Sequence, residues 1–332
     1  MNNATRRAVI AGIGSYVPEK VLTNQDLERM IDTSDEWIVS RTGIRERHIL
    51  EDNLTTSDMA VEAATRALRH AGCPASKVDL VLLATVTGDY VFPSTACIVQ
   101  EKMGLTNAGA FDIGSSCSGF IAALSTGAAF VQSGNFQNVL VIGADAISRM
   151  VDCKDRNVCV IFGDGAAAVL LQAGHSDRGI LSTYIKSDGA GCRHLYQPAG
   201  GAKLPPSLDT ITNRLHYIKM DGRETFKQAA RAMTSAAFEA LKSAGLEVSD
   251  VDLMVPHQAN IRIIQAAVQR MGLSMDQVAV NIDRYGNTVA ASIGLALDES
   301  QQNGRIEAGD HVLLVGFGAG LTWGGIVLRW GV

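Results

Sequence analysis

An internal repeat constrains the fold of this chain more than any other feature of its sequence. Three pairs of similar segments lie 173 residues apart: 71–72 and 244–245, 77–81 and 250–254, and 139–143 and 312–316. One match alone would be weak, but three at one offset, in the same helix–strand order, indicate a duplicated architecture. We therefore predict two halves, residues 1–175 and 176–332, that pack as one rigid body without a Pro- or Ser-rich linker.

Strand and helix patterns alternate along the chain, which is typical of an α/β fold with mixed sheets and buried helices. Short apolar runs bounded by turn residues predict strands, and apolar residues near the helical spacing predict helices. The predicted strands are 8–13, 80–84, 108–113, 139–143, 253–254, 278–282 and 312–315, and the predicted helices are 55–71, 118–132 and 261–271.

Composition excludes several classes of protein. With 47% hydrophobic and 19% charged residues, the chain is not disordered, and its net charge of -5 argues against nucleic acid as the main partner. No apolar run is long enough to span a bilayer, so no membrane partner is expected. The polar residues 1–7 predict no signal peptide. Scattered cysteines without a C-x-x-C pair favour a reducing, cytoplasmic location.

The segment FDIGSSCSGF, residues 111–120, places Cys117 at the turn from a predicted strand to a predicted helix. Its small neighbours leave room for a substrate carbonyl at the sulfur. The helix N-terminus supplies free N–H groups and positive potential, which can lower a thiol pKa to about 3.5–7.5 and hold an oxyanion. Cys117 is therefore a candidate nucleophile; the alternative is a buried cysteine that packs as a small hydrophobe.

Two polar residues of the second half also follow predicted strands. His257 in VPHQAN and Asn287 in YGNT lie in strand-to-helix loops, where functional side chains are often presented. Taken alone, a histidine in a turn more often caps or packs than catalyses, and Asn287 is most simply a turn or N-cap residue. Pseudo-symmetric packing of the halves would bring their strand ends together.

Two glycine-rich segments predict turns. GFGAG at 316–320 is followed by too few residues for the βαβ unit of a dinucleotide fold, so we interpret it as a tight turn that exposes N–H groups to a site. GDG at 163–165 predicts a hairpin turn. The sequence has no Walker-type motif and no metal-spaced His/Cys cluster, so no metal or cofactor is expected.

Cys117 in SCSGF, His257 in PHQAN and Asn287 in YGNT together resemble the Cys-His-Asn set of the β-ketoacyl-[acyl-carrier-protein] synthase III family. The segments 32–44 (DTSDEWIVSRTGI), 163–166 and 317–323 fit the same family, and the resemblance covers essentially the whole chain. It implies a thiolase-like α/β fold, with duplicated halves in a five-layer α-β-α-β-α architecture with two mixed sheets, and a homodimer.

The resemblance also implies the first condensation of type II fatty-acid synthesis. An acyl-CoA primer, acetyl-CoA in the simplest case, and malonyl-[acyl-carrier protein] would give β-ketoacyl-carrier protein, CoA and CO2. Cys117 would take up the acyl group, and the N–H groups of Cys117 and Ala319 would hold its oxyanion. His257 and Asn287 would stabilise the enolate, and no metal or redox cofactor would be needed.

Further site residues are carried over from the same resemblance. Trp37 and Arg41, with Arg156, would clasp the adenine and phosphate end of CoA, since Trp offers a stacking face and Arg a charged fork. Asn260 would be a polar contact of pantetheine or the active site. Phe92 would form a gate at the primer pocket, contributed across the dimer.

A basic surface for the acidic carrier protein is implied as well. Lys227, Arg262 and Arg270 would form it on the helix 261–270 and nearby. The alternative for these charges is an ordinary solvated helix face, which is the simpler interpretation for Arg270.

The sequence departs from the family at small residues. Gly114, Ser115 and Ser116 stand where more Ala-like residues are usual, and Ala319 replaces the middle of a triple glycine. A backbone N–H survives each change, so the changes bear on the primer more than on the reaction type. A relative that primes a polyketide or another secondary metabolite therefore stays open.

Other functions were weighed against this one. A degradative thiolase would need a second catalytic cysteine near the C-terminus, yet no cysteine follows Cys192, and an elongating synthase would carry a histidine at Asn287. A Cys-His-Asn hydrolase of thioesters or amides would use the same residue types. A non-catalytic subunit that binds the carrier protein would be expected to lack Cys117.

Overall fold

Thirteen strands and eleven helices form the part of the chain that the computed structural model describes, residues 6–174 and 177–331. The strands are β1 (Arg7–Tyr16), β2 (Val21–Thr23), β3 (Glu46–His48), β4 (Leu80–Ala84), β5 (Gly109–Ile113), β6 (Asn138–Asp145), β7 (Gly165–Gly174), β8 (Gly179–Ser187), β9 (Leu195–Tyr196), β10 (Lys219–Met220), β11 (Leu253–Pro256), β12 (His311–Gly318) and β13 (Thr322–Arg329). The helices are α1 (Asn24–Met30), α2 (Asp35–Thr42), α3 (Thr56–His70), α4 (Thr95–Lys102), α5 (Gly119–Ser133), α6 (Arg156–Cys159), α7 (Leu208–Thr212), α8 (Gly222–Ala244), α9 (Ile261–Met271), α10 (Ile282–Tyr285) and α11 (Ser292–Gln302). The expected boundary between the halves, at residues 175 and 176, lies outside the described residues.

Two mixed sheets share one topology. The first has the strand order β1-β7-β6-β4-β5, and the second has the order β8-β13-β12-β11. The parallel pair β4–β6 aligns Leu80 with Val139, and the parallel pair β11–β12 aligns Leu253 with Val312. Both partners shift by 173 residues between the two pairs, so the repeat in the sequence is also the repeat of the fold. The duplicated architecture is confirmed.

The helices and sheets alternate in five layers. Helices α5 and α11 lie between the two sheets and contact both of them. Helices α3 and α4 cover the outer face of the first sheet, while α8, with α9 beside it, covers the outer face of the second. The largest apolar core surrounds the middle layer, where Phe120 and Leu124 of α5 and Leu297 of α11 are fully buried. The predicted α-β-α-β-α arrangement is confirmed.

Glycines allow the middle layer to approach the first sheet closely. A Cβ atom added at Gly294 of α11 would lie 2.5 Å from the Cβ of Ala167 on β7. One added at Gly143 of β6 would lie 2.4 Å from the carbonyl oxygen of Ala290. Because real Cβ atoms do not approach other atoms so closely, both positions require glycine.

The predicted strand 278–282 is wrong. Only Val278 pairs with a strand, through an isolated bridge to Met254, and α10 begins at Ile282. The side chain of Gln258 binds this segment, since its Nε2 donates to the carbonyl of Ala279 and its Oε1 accepts from the N–H of Asn281. A side chain therefore satisfies backbone groups that a full strand would have paired.

The predicted hairpin at 163–165 is also wrong. The short helix α6 precedes this segment, and Phe162 forms an isolated bridge with Asn287 in the second half. The buried carboxylate of Asp164 accepts hydrogen bonds from the N–H groups of Leu50 and Ser148. The segment thus joins the two halves beside Asn287. The other predicted strands and helices are confirmed, with ends that differ by up to three residues.

Candidate active site

Cys117 lies between two cavities. A single 3₁₀ turn, Ser116–Ser118, follows β5 and leads directly into α5. The Cys117 side chain is only 4% exposed, yet it lines both a cavity of about 410 Å³ and a cavity of about 230 Å³. A molecule that reacts at the sulfur can therefore extend to either side of it.

The larger cavity contains all three residues of the Cys-His-Asn set. His257 and Asn287 line it with Cys117, and their exposed fractions are 1% and 6%. Trp37 and Arg41 line its other end. The structure therefore brings together residues that lie up to 250 positions apart in the chain, as the packing of strand ends predicts.

The smaller cavity is mainly apolar. Its apolar lining includes Val86, Ile147, Met150, Phe162, Leu195, Ile218, Val289 and Ala319, and its polar lining includes Ser116, Tyr196 and Gln197. Such a lining suits a hydrocarbon chain, which gains free energy when it leaves water.

Ser292 fixes the orientation of the His257 ring. The ring Nδ1 lies 2.7 Å from the Ser292 hydroxyl oxygen, which also accepts a hydrogen bond from the N–H of Gln258. The hydroxyl proton is then available for Nδ1, so we assign the imidazole proton to Nε2. Sequence reasoning missed Ser292; its position as the first residue of a buried helix, just after YGNT, is the signal that points to it.

The Asn287 amide is oriented by its own turn. Its side-chain oxygen accepts from the N–H of Val289 at 2.9 Å. The backbone of Asn287 is held by hydrogen bonds to Ile161 and from Gly163. The amide NH2 group is thereby left as a donor, and the side chain is hydrogen-bonded to Cys117.

Burial sets the protonation of the site. It raises the pKa of Cys117 to about 12, although the Ser116 hydroxyl and the Asn287 amide act in the opposite direction. Burial also lowers the pKa of His257 to about 3. At neutral pH the site holds a neutral thiol and a neutral imidazole, so the low thiol pKa expected from the helix N-terminus is wrong. Burial outweighs the helix terminus here.

The turn between β12 and β13 lies against Cys117. Residues 319–321 form it, as the glycine-rich sequence predicts. A Cβ atom added at Gly318 would lie 2.8 Å from the Cys117 nitrogen and 2.9 Å from the Ser118 nitrogen. Ala319 lines the smaller cavity beside Cys117. The backbone nitrogens of the two turns therefore lie at the same end of this cavity.

Three of the four predicted CoA residues meet at the outer end of the larger cavity, and the fourth lies beside them. Asn260 caps α9, and its amide donates to the Arg41 carbonyl at 2.9 Å. The guanidinium carbon of Arg156 lies 4.7 Å from the centre of the Trp37 ring, although Arg156 itself does not line this cavity. An aromatic face and two guanidinium groups are thus available at one end.

Phe92 is not brought to the site within one chain. Its side chain is 84% exposed, on the segment between β4 and α4, and it lines neither cavity. Its neighbours Tyr90 and Val91 are exposed as well. Three adjacent exposed apolar side chains are unusual on a water-facing surface.

The predicted carrier-binding residues are exposed on α8 and α9. Lys227 lies 3.8 Å from the Glu224 carboxylate, and the Arg262 guanidinium lies 5.7 Å from the centre of the Phe226 ring. Phe226 and the exposed Arg223, which sequence reasoning missed, line the larger cavity. Arg223 belongs to the same helix as Lys227, which is the signal that connects the two.

Two further features bear on the cofactor and membrane expectations. In residues 6–174 and 177–331, no group of three or more His, Cys, Asp and Glu side chains is arranged to hold a metal ion. No helix within these ranges has the length and apolar character needed to cross a membrane.

Two models of one protein family match this chain. The model of 3-oxoacyl-[acyl-carrier-protein] synthase III matches residues 111–189, which include Cys117. The model of the C-terminal part of the same enzyme matches residues 241–330, which include His257 and Asn287.

Individual relatives match over nearly the whole chain. Beta-ketoacyl-[acyl-carrier-protein] synthase III of Caldanaerobacter subterraneus subsp. tengcongensis is 52% identical over 323 residues, which is 97% of this chain and 98% of the relative. The crystal structure of 3-oxoacyl-[acyl-carrier-protein] synthase III from Aquifex aeolicus superposes with a TM-score of 0.91 at 44% identity, covering 97% of this chain and 100% of that chain. The priming beta-ketosynthase from the R1128 polyketide biosynthetic pathway has a TM-score of 0.90 at 36% identity, covering 98% and 96%. This chain belongs to the 3-oxoacyl-[acyl-carrier-protein] synthase III family, the thiolase-like acyltransferases that carry out the initiating condensation of fatty-acid synthesis.

Proposed function

We propose that this protein transfers an acyl group from acyl-CoA to Cys117 and condenses it with malonyl-[acyl-carrier protein]. One observation carries the proposal: Cys117 lies where a polar-ended cavity meets an apolar one. A thioester whose carbonyl carbon is at the sulfur would have its acyl chain on the apolar side. Its pantetheine arm would then extend past His257 and Asn287 toward Trp37.

In the first half-reaction, the Cys117 sulfur bonds to the thioester carbon and the CoA sulfur leaves with the thiol proton. The thiol is neutral at the start, so its proton departs as the new bond forms. The N–H groups of Cys117 and Ala319 would hold the oxyanion, and the N-terminus of α5 would favour the negative charge.

In the second half-reaction, malonyl-carrier protein loses CO2 and leaves an enolate. Its oxygen would accept hydrogen bonds from the Nε2–H of His257 and the amide of Asn287. A neutral imidazole suits this role because it donates a hydrogen bond while keeping its proton. The enolate carbon then bonds to the acyl carbon. The Cys117 thiolate leaves and takes a proton, which regenerates the thiol.

The nucleotide end of CoA would bind at the outer end of the larger cavity. Trp37 and Arg156 already stack on one another, so an adenine ring would enter between them only if Arg156 moved. Arg41 would pair with phosphate and Asn260 with the pantetheine arm or the reacting groups.

The carrier protein would bind near the mouth of the same cavity. Lys227 and Arg262 are exposed there, beside the cavity residue Phe226. Arg270 lies about 12 Å farther along α9, so it would contribute only to a larger contact area.

A homodimer is part of the proposal. Strand β5 is at the edge of its sheet, and an unpaired edge is a template for a strand from another chain. The exposed Tyr90, Val91 and Phe92 precede β5 in the chain. A second copy would cover them, and its Phe92 would close the smaller cavity of the first.

The proposal includes no metal or redox cofactor, since each step uses only side chains and backbone N–H groups. It includes a cytoplasmic location, because Cys97, Cys153 and Cys192 carry exposed free thiols, which suit a reducing compartment. We also propose that residues 1–175 and 176–332 are the duplicated units. The sheets formed within 7–174 and 179–329 support that division.

Loading with a panel of acyl-CoAs, from acetyl to medium and branched chains, tests the proposal by intact and peptide mass. We expect an acyl adduct on the Cys117 peptide, lost in Cys117→Ser and kept in the control Cys73→Ser. Primer-dependent condensation by Cys117→Ser would contradict it. Release of free acid without malonyl-carrier protein would instead indicate a thioester hydrolase. The primer that loads best separates a short-chain fatty-acid initiator from a polyketide-type one.

A further inference from the structure

A chain of hydroxyl groups joins the two turns that meet at Cys117. The Ser118 hydroxyl oxygen, next to the nucleophile, lies 2.6 Å from the hydroxyl oxygen of Thr322, the first residue of β13. Thr322 donates to the Ala319 carbonyl at 3.1 Å, and the Ser115 hydroxyl oxygen lies 3.1 Å from that of Ser118. Ser118 and Thr322 are 204 residues apart, so this contact joins the two halves.

The protons of this chain can all point the same way. At 2.6 Å the two hydroxyl oxygens must share a proton, because two unprotonated lone pairs would repel each other. Ser115 donates to Ser118, Ser118 to Thr322, and Thr322 to the Ala319 carbonyl. Each donor in such a chain is polarised by the one before it, which strengthens the last bond.

The Ala319 carbonyl is the point where this chain bears on the chemistry. Holding that oxygen fixes the ψ angle of Ala319 and thus the orientation of its turn. Gly318, the residue before it, lies directly against the Cys117 nitrogen. The relative position of the Cys117 and Ala319 N–H groups therefore depends on the Ser118–Thr322 contact.

We propose that Ser118 and Thr322 are positioning residues that hold the Ala319 turn against the nucleophile turn and thereby set the oxyanion-binding geometry. This rests on the function proposed above, in which the two N–H groups hold the oxyanion. Neither hydroxyl has to touch the substrate. Their effect is exerted through the backbone.

Thr322→Val removes the hydroxyl at nearly constant shape, and Thr322→Ser restores it. We expect the acylation rate constant to fall about tenfold in Thr322→Val, less than the 10²–10³-fold loss of a whole oxyanion donor. The KM for acyl-CoA should change less than twofold. The carbonyl stretch of isotope-labelled acyl-Cys117 should move to higher frequency, since a weakly held carbonyl is less polarised. Thr322→Ser should recover both signals.

Thr126→Val is the matched control. Its hydroxyl donates to the Ala122 carbonyl within α5, away from the turn, so both readouts should keep their wild-type values. Ser118→Ala tests the same contact from the other half and should reproduce the effect if Thr322→Val does not fold. Combining both changes should add little to either, because they break one contact.

Wild-type rates and carbonyl frequencies in Thr322→Val and Ser118→Ala would overturn the proposal. Thr322→Ser as slow as Thr322→Val would also overturn it, since the methyl group rather than the hydroxyl would then matter. If the wild-type protein forms no Cys117 adduct, the proposed function fails instead, and that result is recorded before any variant is compared.

Discussion

The two halves of the molecule build the same turn and use it differently. The 3₁₀ turns Ser116–Ser118 and Val289–Ala291 are 173 residues apart, and each leads directly into a helix of the middle layer. Each also begins with a residue in the left-handed region, with φ of 46° and 50°. Cys117 is the central residue of the first turn, and Ala290 is the central residue of the second.

Their backbone N–H groups explain the difference. In the second turn, Ala290 donates to the buried carboxylate of Asp145, and Val289 donates to the side chain of Asn287. In the first turn, the Cys117 nitrogen lies against Gly318. Duplication produced two equivalent helix N-termini. One has its donors engaged by protein side chains and holds Asn287, while the other carries the nucleophile.

The largest predicted effect concerns the protonation of the first turn. Since burial raises the pKa of Cys117 to about 12, its thiolate fraction should grow tenfold with each pH unit up to that value. Alkylation of Cys117 by iodoacetamide, followed by peptide mass, should therefore rise about 10³-fold between pH 7 and 10. A rate that is constant between pH 7 and 9 would mean that the thiolate already exists there.

The next effect breaks the close approach at the first turn. Gly318→Ala places a Cβ within 3 Å of two backbone nitrogens, so the turns must separate. Acylation should fall about 10²-fold, as for an active site displaced by about 1 Å. Gly114→Ala is the matched control, because a Cβ there meets nothing within 4 Å. Equal activity of the two variants would show that the approach is unimportant.

A smaller effect is expected at the first residue after the second turn. Ser292→Ala removes the hydrogen bond that orients His257, and condensation should fall about tenfold while acylation of Cys117 changes much less. Ser300→Ala removes a hydroxyl from the same helix that bonds only to the Ala296 carbonyl. Separate stopped assays of the two half-reactions measure the difference. Equal losses in both half-reactions would count against the assignment of His257 to condensation.

The smallest effect should occur far from both turns. Arg156→Ala removes the guanidinium that stacks on Trp37, and such contacts contribute about 0.5–1 kcal/mol. The KM for acyl-CoA should rise about threefold. With an acyl donor that lacks the nucleotide, the KM should not change. The neighbouring Lys154→Ala serves as control, and a response to the nucleotide-free donor would refute the assignment.

Local patterns in the sequence predict the positions of the reactive residues. Cys117 and His257 each follow a buried strand, and the repeat offset shows that the two halves match. These features depend on residues close together in the chain, so spacing is enough to identify them. The same holds for the turn at 319–321, where glycines mark the reversal between two apolar strands.

Long-range contacts explain what the sequence could not predict. The segment 278–282 has the pattern of a strand, but the side chain of Gln258 binds its backbone. The hydroxyl pair Ser118–Thr322 joins residues from opposite halves. The pKa of Cys117 depends on burial by both halves, which outweighs the helix N-terminus that the local sequence predicts.

Separating the two half-reactions in His257→Ala tests the central claim most directly. Acyl-Cys117 formation and CoA release would be followed by quenched-flow mass measurement, before and after addition of malonyl-carrier protein. We predict that the variant still forms acyl-Cys117 with stoichiometric CoA release, but that its conversion to β-ketoacyl product falls at least about 10²-fold. Wild-type condensation by this variant, or loss of acylation and condensation by the same factor, would contradict the division of labour between the two halves.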